Sequence, residues 1–112
     1  MARVVLPVTS VAREGIAWPP AEVNGDATNN HQVLNSDSKT VVVVRNSSST
    51  TARTVTFRIP RLIDGQGVSP VTRSIPANAT RAFGTFSADD YGTTLLIDVD
   101  HAELKLYAFR AI

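Results

Sequence analysis

The residues whose types and spacing come nearest to chemistry are Asp98, Asp100 and His101, in the run Asp-Val-Asp-His. Two carboxylates two positions apart at a strand end share one face, an arrangement that a Ca2+ ion can use. Such an ion needs about six to eight oxygen ligands, and the sequence offers no further donors close by. Aspartate is also expected at a turn for its own local hydrogen bonds, and Asp89-Asp90 reads the same way. The two histidines, His31 and His101, are not at metal-ligand spacing. Ser47-Ser48-Ser49 has no Gly-x-Ser-x-Gly surroundings and no paired histidine, so it reads as a solvated hairpin loop. Asn46-Ser47-Ser48 and Asn78-Ala79-Thr80 match the glycosylation acceptor pattern, but without a secretion signal they read as plain turns. Gly65-Gln66-Gly67 is too short for a phosphate loop. No catalytic triad, carboxylate pair or cofactor fingerprint emerges. The expectation is a non-enzyme with no cofactor and no metal.

The bulk properties narrow the partners. The chain has 112 residues, enough for one domain with its own core. Eleven basic against ten acidic residues leave a net charge of +1, which does not point to nucleic acid or an anionic membrane. Arg45, Arg53, Arg58, Arg61, Arg73, Arg81 and Arg110 are scattered without the aromatic platform that nucleic-acid binding uses. There is no cysteine, and so no disulfide, thiolate ligand or cysteine nucleophile. The opening Met-Ala-Arg-Val-Val-Leu is broken at Pro7 and does not read as a signal peptide. No apolar run approaches the roughly 20 residues that cross a bilayer. A soluble protein made in a cytoplasm is expected.

The elements that must position these residues are strands. Valine, threonine and serine are abundant, while glutamate and lysine are scarce. Strands are predicted at 40–45, 53–59, 68–75, 80–86, 93–99 and 103–110, separated by turn signals. Pro70 puts the third of these at a sheet edge. Residues 89–92 read as a turn. This spacing predicts an all-β fold, a single β-sandwich of jelly-roll or immunoglobulin-like type. Residues 1–39 read differently. A short strand lies near 3–9, Pro19-Pro20 follow Trp18, and Asn24-Gly25 and Asn29-Asn30 are turn formers. The domain organisation expected is a long, mostly irregular N-terminal arm at 1–39 and a sandwich at 40–112.

The strand faces raise a question of cover. Val55, Phe57 and Ile59 alternate with Thr54, Thr56 and Arg58, as one wet face requires. Val41 to Val44 are apolar on both faces, and so are Leu95 to Ile97. In the last strand Leu104, Leu106 and Ala108 face one way, Tyr107 and Phe109 the other. Exposing the second face would leave a large patch. The N-terminal segment or a neighbouring subunit must cover it. The residues expected to meet a partner are therefore Leu6, Val8, Val11, Ile16 and Trp18 in the arm, with Val42, Val44, Tyr107 and Phe109 on the strands.

Several segments together resemble a known group: Leu6-Pro7-Val8-Thr9, Arg13-Glu14-Gly15, Pro19-Pro20, the run from Gly25 to His31, Val41–Asn46 and Ala52–Phe57. The chain resembles small β-sandwich head-decoration or minor capsid proteins of tailed bacteriophages, especially those infecting actinobacteria. The resemblance spans most of the chain and is one of general pattern. It implies a virion structural protein that binds the outside of a mature capsid, commonly as a trimer, with the major capsid protein and its own copies as partners. Two other readings fit the residues. One is a head–tail junction or tail protein. The other is a carbohydrate-binding sandwich that stacks sugars on Trp18, Tyr91 or Tyr107.

Overall fold

The computed structural model describes residues 3–11, 13–15, 22–35, 38–60, 62–84 and 86–111. In chain order the strands are β1 Val4–Val5, β2 Val8–Val11, β3 Val23–Asn24, β4 His31–Leu34, β5 Thr40–Asn46, β6 Arg53–Phe57, β7 Leu62–Ile63, β8 Gln66–Gly67, β9 Val71–Ile75, β10 Thr80–Phe83, β11 Thr94–Val99 and β12 Leu104–Ala111. A short helix, α1 Ala88–Tyr91, precedes β11.

These strands form two packed sheets, so the fold is an all-β sandwich. Sheet A has the order β1-β4-β11-β6-β9, and sheet B the order β10-β5-β12-β2, with β3 also on β12. β7 and β8 make a separate hairpin, turned by Asp64 and Gly65, both at positive φ (51° and 76°). Inward residues alternate along the central strands: Val42 and Val44, Val55 and Phe57, Leu95 and Ile97, Leu104, Leu106 and Ala108. They meet in one core, where Phe57 packs on Phe83 and Phe86 with ring centroids 5.1 and 4.9 Å away.

The central strands lie close to their predicted places. The strand expected over 68–75 begins at Val71, and its position at a sheet edge holds. Residues 88–91 are a helical turn rather than a plain turn, because the Ser87 hydroxyl caps it by accepting from Asp89 N–H.

The first 39 residues need a larger correction. Their described strands are not set apart from the sandwich: β1 and β4 belong to sheet A, while β2 and β3 pair with β12 in sheet B. Pro7 splits the expected first strand, since it has no N–H to donate, and the two halves pair in different sheets. Leu6, between them, is 1% exposed and belongs to the core. The N-terminal segment thus joins the sandwich by lengthening both sheets.

Two polar ties hold this segment in place. The Arg3 guanidinium donates to the His31 carbonyl (3.0 Å), the Ile97 carbonyl (3.3 Å) and the Asp98 carboxylate (2.7 Å). The 25–31 turn is the second. Asp26 Oδ1 accepts from the N–H groups of Thr28 and Asn29, and Asn30 stands at φ 62°. Asn30 then accepts from Val4 N–H through its carbonyl and from Val99 N–H through its side chain.

Candidate functional site

In β5 and β12 the residues that alternate with the core set point away from it. Val41, Val43 and Arg45 stand level with Phe109, Tyr107 and Lys105. β10 adds Thr80 and Ala82, level with Arg45 and Val43. On this outer face of sheet B lies a groove of about 540 Å3 lined by Glu22, Val43, Arg45, Thr80, Ala82, Tyr107 and Phe109. Its base is apolar and well packed: Val43 is 3% exposed and Tyr107 4%. At its rim Arg45 and Glu22 form a two-point fork, Nε to Oε2 at 3.2 Å and Nη2 to Oε1 at 3.0 Å.

The groove's ionisable groups are held in fixed charge states. Burial pushes the Tyr107 hydroxyl above its ordinary pKa of 10.0, and the Glu22 charge adds to the rise. At neutral pH this phenol is protonated and can donate or accept a hydrogen bond, but it is no base. The fork to Glu22 raises the Arg45 pKa and keeps its charge fixed. The groove's polar side chains among the described residues are those of Glu22, Arg45, Thr80 and Tyr107. Such a site can take an apolar side chain whose polar end meets the Arg45–Glu22 rim.

The sequence-derived partner residues fall into three groups. Tyr107 and Phe109 line the groove, Val11 is exposed on β2, and Val8 packs partly against the core. Leu6, Val42 and Val44 are 1%, 0% and 0% exposed, so their apolar surface is used within this chain's own core and is closed to a partner. Ile16 and Trp18 lie outside the described residues. Sequence reasoning missed Glu22, Val43, Arg45, Thr80 and Ala82. Val43 and Arg45 were open to detection, because the period of two in β5 places them on the face opposite Val42 and Val44. Glu22 carried no such signal, being 23 positions from Arg45.

The other candidates serve the fold. Asp98 gives one carboxylate oxygen to Arg3 and the other to Arg58. Asp100 N–H donates to the Thr54 carbonyl, and His101 Nδ1 accepts from Glu103 N–H. The Tyr91 ring stands edge-on to Phe86 at 5.1 Å, packed against the core. Among the described residues no three His, Asp or Glu side chains gather as metal ligands, and no helix is long and apolar enough to cross a membrane.

No family model matches the chain, and no curated protein or solved structure shows significant similarity to it.

Proposed function

We propose that this chain is a structural protein of a phage virion, binding the outer capsid surface as a decoration or cementing protein through the outer face of sheet B. The groove on that face is the observation that carries the reading. Its lining combines two aromatic rings and an arginine, the residue types that dominate protein interfaces. It presents an apolar binding surface with a charged rim, which suits a protein that acts by contact. The resemblance of its sequence segments to capsid decoration proteins supplies the partner, the major capsid protein. Repetition over many capsid sites turns a modest contact into a durable one.

The test is co-sedimentation of the tagged full chain with purified capsids of the phage that encodes it, prepared without it. Saturable pelleting is expected, weakened about fivefold or more by Arg45→Glu, the cost of losing roughly 1 kcal/mol at a rim anchor. A chain that stays in the supernatant, and that mass spectrometry does not find in the virions, overturns the reading.

A further inference from the structure

An open sheet edge is a template for pairing, and folded chains blunt such edges with prolines, inward-pointing charges or short strands. Most edges of this sandwich carry those devices. β9 is bracketed by Pro70 and Pro76, and its Arg73 is level with Val55, on the core-facing side of the strand. β10 places Arg81 level with Val44, again on the core-facing side. Both arginines are exposed at the lip of the sandwich, where an added strand would have to bury their charge. β1 and β3 have two residues each, and Pro7 follows closely on β1.

β2 is entered from Pro7, as β9 is from Pro70, but it has no inward-pointing charge to guard it. Its four residues, Val8-Thr9-Ser10-Val11, include no charge, proline or glycine. One side pairs in parallel with β12, and among the described residues nothing pairs with the other. Val11, at its end, is 38% exposed.

We infer that β2 is a self-association edge, at which two copies of this chain pair antiparallel about a two-fold axis and continue sheet B from one subunit into the next. A two-fold normal to the sheet keeps both outer faces on the same side, so residues opposed across it share a face. Centred on Ser10, it sets Thr9 against Val11 of the second copy. Both lie on the outer face, since Thr9 is level with Phe109 and Val11 with Ala111. The exposed Val11 of each copy is then covered by the other's Thr9, one strand away from its Phe109. The contact forms twice, joins β-branched residues that pair well, and opposes no like charges. A strand of another protein would satisfy the same backbone groups without this reciprocal burial of Val11.

The contact gives an even-numbered oligomer, where the family resemblance implies a trimer. It also leaves both copies' grooves on one side, ready to meet one surface. Self-association does not depend on capsid binding, so either can fail without the other.

The absence of cysteine makes the test direct. Opposed residues of an antiparallel pair lie about 4.5–5.5 Å apart at Cα, within reach of a disulfide. The full chain should sediment at twice its 12.0 kDa mass. Val11→Lys should return it to the monomer without lowering its melting temperature. Ser10→Cys, or Thr9→Cys mixed with Val11→Cys, should cross-link under mild oxidation faster than Ser74→Cys on the guarded β9 edge. This cysteine comparison reads the contact even if Val11→Lys fails to fold. A monomeric wild type, an oligomer unmoved by Val11→Lys, or cross-linking at position 74 as fast as at the opposed β2 positions overturns the inference.

Discussion

His31 shows how one side chain can fix the protein's response to pH. It has no accessible surface, and its Nε2 accepts from the Asp26 N–H at 2.9 Å. That bond requires a neutral ring with its proton on Nδ1, because a proton on Nε2 would point at the donor. Burial holds the His31 pKa below its ordinary 6.5, outweighing the Asp26 carboxylate, which raises it; Arg3 lowers it further. The unfolded chain therefore takes up this proton at higher pH than the folded one does. Stability from neutral His31 is fully present above pH 6.5 and is lost as the pH falls from there through the folded pKa. Urea denaturation over a pH series should show this decline in the wild type and little of it in His31→Gln, which keeps an acceptor. Equal midpoints above and below pH 6.5 in the wild type would refute it. Asp98 acts at lower pH. Burial tends to raise its pKa, but the hydrogen bonds from Arg3 and Arg58 prevail and lower it below 3.8. Its contribution is present above 3.8 and disappears as the pH falls through the folded value.

At the scale of elements, the short N-terminal strands depend on close approach and on charge. Gly25 N–H donates to the Leu104 carbonyl at 2.7 Å, which continues the pairing of β3 with β12. A Cβ at this position would lie 2.6 Å from the His101 carbonyl oxygen and 2.7 Å from that of Leu104, both backbone atoms that cannot swing aside. Gly25→Ala should cost about 1–3 kcal/mol, seen as a lower urea midpoint. Arg3→Ala removes the cation that joins β4 to β11. Its partly exposed position limits the loss to about 1–2 kcal/mol, with faster amide exchange at Val4 and Leu6 as the local sign. These same strands were the least legible in the sequence. β5, β6, β11 and β12 announce themselves through five to eight residues of alternation or valine-rich runs. β1 to β4 have only two to four residues each, too few to show a period. Their partners also lie far along the chain, as when Val8 pairs with Ala108. The groove was half legible for the same reason: Tyr107 and Phe109 follow from alternation in one strand, whereas the Arg45–Glu22 fork needs the tertiary fold.

At the scale of the whole molecule, removal of residues 1–24 separates an appended arm from an integral part of the sandwich. An arm would leave behind a folded sandwich that had lost only its partner. Here the deletion strips β1 from β4 and strips β2 and β3 from β12. It takes Leu6 from the core and Arg3 from Asp98, and removes the Glu22 side of the groove. A buried leucine alone is worth about 2–5 kcal/mol when truncated to alanine, a large part of the roughly 5–15 kcal/mol that keeps a domain folded. The shortened chain should therefore lose its cooperative unfolding transition and expose core strands, which thermal melts and binding of a hydrophobic dye would record. Loss of capsid binding by this truncation would then report unfolding. Only surface substitutions such as Arg45→Glu, made in a chain that still melts cooperatively, can test the proposed capsid contact. A truncated chain that kept the wild-type melting temperature would show instead that β5, β12 and their neighbours form a self-sufficient sandwich, with the first strands laid on from outside.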